Sequence, residues 1–213
     1  MLIRKEHTEN GGLLGIWKMD ETREDLLQLF PAHLRSKANS LLHTIRSERR
    51  SIEWLATRVM LFNLLGKEQI ILNRENGSPY LADGKSHISI SHTKEYAAIL
   101  LHETSAVGID IETRSERVVK LAGKFISDKE YIDPAQKVVH QLLHWSAKES
   151  LFKLMNEEGI DFRQHLYIEP FTPVVKGVMA ARETKTTQMR KFTIHYEVHP
   201  DYVLTWSIES DTK

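Results

Sequence analysis

Three short segments bring together residue types able to do phosphate or metal chemistry. In Val107-Gly108-Ile109-Asp110-Ile111-Glu112 the alternation of a strand sends Ile109 and Ile111 to one face and Asp110 and Glu112 to the other. The two carboxylates then stand about 7 Å apart along the strand. Hard cations such as Mg²⁺ take oxygen ligands, typically one or two carboxylates plus substrate phosphates, and this spacing offers such a pair. Taken alone, D-x-E also suits the solvent side of an ordinary edge strand. In Trp145-Ser146-Ala147-Lys148-Glu149-Ser150-Leu151-Phe152-Lys153 helical spacing places Leu143, Ala147, Leu151 and Leu154 in an apolar stripe. Trp145, Glu149 and Lys153 fall on nearly the opposite side, where Glu149 and Lys153 could be no more than a surface i,i+4 pair. Trp145 argues mildly against a purely solvated stripe. In Ile88-Ser89-Ile90-Ser91-His92-Thr93 the isoleucines are expected inward and Ser89 and Ser91 outward. His92 closes the strand, where hydroxyl and imidazole groups can donate to phosphate oxygens or serve only structure. Ser91 lies outside any G-x-S-x-G elbow, which weakens a serine hydrolase reading. A zinc site from His87, His92, Asp110 and Glu112 has no recognised ligand spacing.

A basic run adds a fourth feature. From His33 to Arg50 the chain carries Arg35, Lys37, Arg46, Arg49 and Arg50 against Glu48 alone. Such an imbalance suits phosphates or an acidic partner, or a solvated face.

These segments need elements to hold them. Residues 13–19 are expected as a strand, Glu21–Phe30 as a helix stopped by Pro31, and residues 33–46 as a second helical stretch. From Ser47, an N-cap type, to Gly66, a stop, runs the clearest amphipathic helix, with Arg58 inside a mostly apolar stripe. A turn at Asn76-Gly77 leads to strands at His87–Ser91, Tyr96–Leu101 and Ala106–Glu112, the last two expected as a hairpin. Helix is expected around Glu116–Phe125, after a Ser127/Glu130 capping box, and from about Ala135 to Glu158. Strand alternation returns at Tyr202–Ile208. Strands and helices are thus mixed in both halves, with a boundary, if any, near residues 102–105.

Composition narrows the classes. The 213 residues carry 29 Lys plus Arg and 29 Asp plus Glu, 41% are hydrophobic, and none is Cys. The length fits one or two compact domains. The balanced charge excludes binding to nucleic acid by global charge, and the missing thiol excludes disulfides and cysteine chemistry. No apolar run approaches the ~20 residues of a membrane-crossing helix, and the amino terminus lacks a secretory pattern, so a soluble cytoplasmic protein is expected.

In this order, Gly77-Ser78-Pro79-Tyr80, Ile88 to Thr93, Val107 to Glu112 and Trp145 to Lys153 resemble the 4'-phosphopantetheinyl transferase superfamily. G-I-D-I-E and W-x-x-K-E-x-x-x-K are its diagnostic motifs. The resemblance covers about residues 77–153, extended upstream by the Arg58 helix. It implies an α+β fold of two pseudo-symmetric α/β halves, about residues 1–104 and 105–213, with coenzyme A in the cleft between them. The length is similar to that of the surfactin-synthetase-activating type, usually a monomer, rather than the shorter trimeric synthases. The implied reaction moves the 4'-phosphopantetheine arm of coenzyme A to a serine of an apo acyl, peptidyl or polyketide carrier protein, as in fatty acid biosynthesis, and releases adenosine 3',5'-bisphosphate.

The resemblance also implies roles. Asp110, Glu112 and Glu149 match residues that hold Mg²⁺, and Glu149 a general base. Lys153 matches a lysine on the pyrophosphate. Arg58 and His92, with Ser91 beside them, match residues at the 3'-phosphate. The family commonly has Lys or Arg where Ser78 stands, and uses basic residues ahead of the Arg58 helix that Arg46, Arg49 and Arg50 do not clearly match. Two other readings use the same residues: a non-catalytic coenzyme A or carrier-binding homologue, and a metal-dependent phosphohydrolase. The basic run from Arg35 to Arg50 is a possible dock for an acidic carrier helix, unless coenzyme A phosphates occupy it.

Overall fold

The computed structural model describes residues 1–210. In chain order the elements are β1 (Leu2–His7), β2 (Leu13–Lys18), α1 (Arg23–Gln28), α2 (Ala32–Leu42), α3 (Glu48–Leu65), β3 (Ile71–Asn73), β4 (Pro79–Leu81), β5 (His87–His92), β6 (Tyr96–His102), β7 (Val107–Thr113), α4 (Arg117–Leu121), α5 (Lys137–Met155), α6 (Phe162–His165), β8 (Leu166–Ile168), β9 (Lys176–Glu183), β10 (Lys191–Val198) and β11 (Tyr202–Ile208). They build a mixed α+β fold with three sheets. The strand orders are β1-β2-β6-β5, β7-β11-β10-β9-β8 and the small pair β3-β4. Both larger sheets are antiparallel throughout.

Each large sheet carries one long helix. The helix expected from Ser47 to Gly66 forms as α3. The Ser47 side chain accepts from the Arg50 amide, and Gly66 ends the helix at φ 63°, a left-handed conformation that glycine adopts without a Cβ penalty. Its buried face, including Leu55, Val59 and Met60, packs with Trp17, Ala97, Ile99 and Leu101 of the first sheet. Leu143, Ala147, Leu151 and Leu154 of α5, the stripe expected from spacing, pack with Met179, Ile194 and Val203 of the second. Both helices lie over a glycine. A Cβ on Gly15 would stand 2.7 Å from Leu64, and one on Gly108 would stand 1.9 Å from the Ser150 carbonyl oxygen. The latter collides with backbone, so only glycine lets α5 come this close to β7.

A third apolar cluster joins the two sheets. Leu14, Ile16, Ala98 and Leu100 from the first meet Ile109, Ile111, Leu204 and Trp206 from the second. Strand β6, inside its sheet, and β7, at the edge of its own, are both largely buried. Their pairing corrects the expected hairpin. Strand β6 pairs with β2 and β5, whereas β7 pairs with β11, so the short link after His102 carries the chain from one sheet to the next.

Two other expectations need correction. The Ser127/Glu130 pattern closes a turn instead of starting a helix: the Ser127 amide donates to Glu130 Oε2 at 2.8 Å. Helix α5 begins at Lys137 and stops at Asn156, in a left-handed conformation at φ 50°, before Gly159 is reached. No helix among the described residues is long and apolar enough to cross a membrane.

Candidate active site

The alternation expected in β7 is present. Ile109 and Ile111 enter the inter-sheet core, which turns Asp110 and Glu112 toward α5. Asp110 is only 3% exposed. Its Oδ1 accepts from Ser91 Oγ at 2.8 Å and from Lys153 Nζ at 2.7 Å, and Lys153 also donates to the Ile109 carbonyl at 3.0 Å. Glu112 Oε1 accepts from Trp145 Nε1 at 2.8 Å. The stripe of Trp145, Glu149 and Lys153 is thus directed at the carboxylates of β7 and is not an isolated surface pair.

Helix α5 is held against this sheet by a polar seam. Ser146 Oγ lies 2.9 Å from Thr205 Oγ1, and Ser150 Oγ lies 2.7 Å from the same hydroxyl and donates to the Thr205 carbonyl at 3.1 Å. The seam sets the rotation of α5 and with it the side on which Glu149 emerges. Burial, with the charge of Asp110 and a smaller contribution from Glu112, pushes the Glu149 carboxyl up to about 7, opposed in part by Lys153. Burial and Asp110 also raise Glu112, opposed by its bond from Trp145 and by Lys153. These acids crowd one another in a partly dry setting, which favours protons or a cation.

Whether the acids suit a divalent cation is a matter of donor chemistry and convergence. Asp110 Oδ2 is buried with no hydrogen-bond partner, an oxygen left for an ion or water. Three carboxylate side chains are the hard oxygen donors that Mg²⁺ takes. Among the described residues, however, no group of three or more His, Cys, Asp or Glu is close enough to form a ready-made cage. Asp110 Oδ1 is bonded to Ser91 and Lys153. The donor set fits Mg²⁺ in the form the ion usually prefers, with few carboxylates and further oxygens from water and phosphate.

The second part of the site lies on α3. The Arg58 guanidinium stacks over Trp54 at 4.2 Å from the ring centroid and donates to the Trp54 carbonyl and Thr57 Oγ1, each at 3.2 Å. Burial lowers it to about 10, so it is a desolvated cation suited to an anion. It lines an open groove of about 850 Å³ with Arg46, Arg50, Glu53 and His92. His92 Nδ1 stands 3.5 Å from Glu53 Oε1, which also accepts from Arg49 Nε at 2.8 Å. A second groove, of about 880 Å³, shares Gly77, Pro79 and Ile90 with the first and reaches Lys153.

The structure redistributes some expected roles. Ser89 and Ser91 are buried against β7 and do not point outward; Ser89 Oγ accepts from the Ile109 amide at 3.1 Å. Ser91 is bonded to Asp110 rather than lining the Arg58 groove. The basic run is not one surface. Arg35 bonds the Phe30 and Gln28 carbonyls after α1 and Arg49 pairs with Glu53, whereas Arg46 and Arg50 face the groove. Sequence reasoning missed Arg74, whose Nη1 donates to Ser78 Oγ and the Pro79 carbonyl at 3.4 Å, bringing a cation to a turn where Ser78 has none. It also missed the buried pair Lys148–Glu130 at 2.7 Å, because sequence-distant partners leave no local pattern.

The D-x-E motif on β7 and the W-x-x-K-E-x-x-x-K motif on α5 thus face each other across this site. Residues 106–207 match the model of the 4'-phosphopantetheinyl transferase superfamily, and this part of the chain belongs to that superfamily. Among curated proteins, the chain is 37% identical over 86 residues to a putative 4'-phosphopantetheinyl transferase of Haemophilus influenzae, covering 35% of this chain and 37% of that protein. It is 29% identical over 104 residues to the 4'-phosphopantetheinyl transferase gsp of Aneurinibacillus migulanus, covering 46% of this chain and 43% of that protein. The chain thus spans well under half the length of the curated relatives it matches.

Proposed function

We propose that this protein transfers the 4'-phosphopantetheine arm of coenzyme A to a serine of an apo carrier protein, acting as a cytoplasmic monomer. The observation that carries this reading is the meeting of Asp110, Glu112, Glu149 and Lys153 beside a groove lined by Arg46, Arg50, Arg58 and His92. Acids able to hold a cation and bases able to hold an anion adjoin, as transfer from an anionic pyrophosphate donor requires. We further propose that residues 1–104 and 105–213 form two pseudo-symmetric halves with the donor in the cleft between them.

In this reading Arg58 and His92 bind the 3'-phosphate, and Arg46, Arg50 and Arg74 add positive charge along the nucleotide. Asp110, Glu112 and Glu149 are the residues that would hold Mg²⁺. A Mg²⁺ ion held there would supply positive charge to offset the charge that develops as the phosphoanhydride bond breaks. The carrier serine oxygen forms a bond to the phosphorus bearing the pantetheine arm, the bond from that phosphorus to the bridging oxygen breaks, and adenosine 3',5'-bisphosphate leaves. Glu149 takes the serine proton directly or through water. Lys153 faces the pyrophosphate. Ser91 acts one step back by orienting Asp110.

Incubation with coenzyme A, Mg²⁺ and a panel of apo acyl, peptidyl and polyketide carriers tests the reading by intact mass. At least one carrier gains one phosphopantetheinyl group, and Asp110→Ala or Glu149→Ala abolishes the gain. Full activity in either variant overturns the mechanism.

The alternative is a non-catalytic coenzyme A-binding homologue, against which the presence of all three carboxylates and Lys153 argues. Coenzyme A binding without transfer to any carrier supports that alternative.

A further inference from the structure

Lys148 and Glu130 form an ion pair in which both side chains have no exposed surface. Every donor of the Lys148 ammonium is used. Nζ donates to Glu130 Oε2 at 2.7 Å, to the Phe125 carbonyl at 2.7 Å and to the Phe162 carbonyl at 3.0 Å. Glu130 in turn accepts from the Ser127 amide at 2.8 Å and the Ile168 amide at 2.9 Å. A buried ion pair is a poor source of stability, since well-packed apolar side chains of the same volume commonly do as well or better. What this pair does possess is reach: it ties the 125–130 turn, α5, the start of α6 and β8 to one point.

The two carbonyls held by Lys148 belong to the residues whose rings flank Trp145. The Phe125 ring meets the Trp145 ring edge-on at 5.1 Å between centroids, and the Phe162 ring meets it at 5.7 Å. The indole N–H of Trp145 then donates to Glu112 at 2.8 Å. A continuous path of contacts therefore runs from the buried ammonium through two backbone carbonyls and an aromatic clamp to a carboxylate of the candidate active site.

We propose that Lys148 and Glu130 are positioning residues that fix the Glu112 carboxylate for metal binding by holding the Phe125–Trp145–Phe162 clamp. This inference rests on the transferase reading above, specifically on Glu112 as a metal ligand. Groups that orient metal ligands typically change metal affinity by 10–100-fold when removed.

The test uses Mn²⁺ as the probe, in the presence of coenzyme A, with free Mn²⁺ read by electron paramagnetic resonance. Trp145→Phe keeps a ring in the clamp and removes the N–H donor. The double substitution Lys148→Met with Glu130→Gln removes both charges, so neither is left buried and unpaired. Each is expected to weaken Mn²⁺ binding about tenfold, while coenzyme A binding without metal stays within twofold. Combining all three substitutions is expected to weaken Mn²⁺ binding no further, because the pair acts through Trp145. A folded Lys148→Met/Glu130→Gln protein that binds Mn²⁺ like the wild type overturns the proposal, and so does full additivity with Trp145→Phe. Should that double variant fail to fold, Phe162→Leu decides in its place: weakened Mn²⁺ binding supports the clamp, and unchanged binding overturns it. A merely structural role lowers the melting temperature without moving Mn²⁺ affinity. If the wild type itself binds no Mn²⁺ and transfers no arm, the transferase reading fails first; a working wild type with indifferent variants sinks this inference alone.

Discussion

Ser91 and Asp110 belong to different sheets and meet at 2.8 Å, with the serine hydroxyl donating to a carboxylate that Lys153 also neutralises. This bond ties the strand that ends at His92 to the strand that carries the acids, so the anion-binding groove and the acidic group are held in fixed relation. Ser91→Ala removes it and leaves Lys153 in place. The expected cost is about 2 kcal/mol of stability, the usual worth of a hydrogen bond to a charged group, together with a higher Mg²⁺ requirement for transfer. Urea denaturation and an activity titration with Mg²⁺ check the two effects separately.

Glu149 stands above its ordinary value, at about 7, because it is buried near Asp110 and Glu112. A carboxyl raised by folding holds a proton in the folded state at pH values where the unfolded chain has released it. Between about 4.5 and 7 the folded state therefore binds more protons than the unfolded state, and stability falls as pH rises through that window. Glu149→Gln is accordingly expected to melt higher than the wild type at pH 8 and at the same temperature near pH 4. It should also lose transfer activity. Melting curves at the two pH values decide it; an equal difference at both would show that the gain has another source.

Saturating Mg²⁺ should act on the same charges from the other direction. A cation beside Asp110, Glu112 and Glu149 favours their ionised forms, so the acid limb of the transfer profile is expected below the metal-free value of Glu149, and Mg²⁺ should raise the melting temperature more at pH 8 than at pH 5. Calorimetry with and without the ion measures this.

Gly108→Ala is expected to be among the most damaging single substitutions. Its Cβ would lie 1.9 Å from the Ser150 carbonyl oxygen, and neither strand nor helix backbone can yield without breaking the polar seam to Thr205. A loss of more than about 4 kcal/mol is expected, seen as an insoluble product or a large fall in the melting temperature. Gly77→Ala, by contrast, meets no neighbouring atom and costs only the strain of φ 84°.

Arg58 has a half-buried guanidinium without a carboxylate salt bridge among the described residues. Arg58→Met keeps the contact with Trp54 and removes the charge. Coenzyme A binding is expected to weaken by about 2 kcal/mol, roughly thirtyfold, with a much smaller loss for dephospho-coenzyme A, which lacks the 3'-phosphate. Arg74→Ala should weaken both ligands alike. Isothermal titration with the two ligands separates these outcomes.

Much of the framework was legible because local signals agreed. Ser47 and Gly66 bracket α3 as a cap and a left-handed stop should, and strict alternation put Asp110 and Glu112 on one face of β7. What stayed hidden depended on distant partners. Strand β1 escaped notice because its side chains alternate between half-buried and exposed without a run of apolar residues. The β6–β7 link looks like a hairpin in sequence, and only the pairing of each strand with distant partners shows that it joins two sheets. Lys148 has no partner within its own segment, and Glu130, eighteen residues away, is found beside it only in the fold. Ser91 reads as an outward hydroxyl until β7 covers it.

The crossing between the two sheets takes only the residues from Glu103 to Ala106, and the surfaces it joins bury Leu14, Ile16, Leu100, Ile109 and Leu204 against one another. So short a tether keeps the sheets at a very high effective concentration toward each other. Neither sheet has an inner face suited to water, because Leu100 and Ile109 would both be bared by separation. The chain should therefore melt as one cooperative unit, with a single calorimetric transition whose enthalpy equals the van't Hoff value. A cut in the 103–106 link should leave two fragments that stay associated under native conditions.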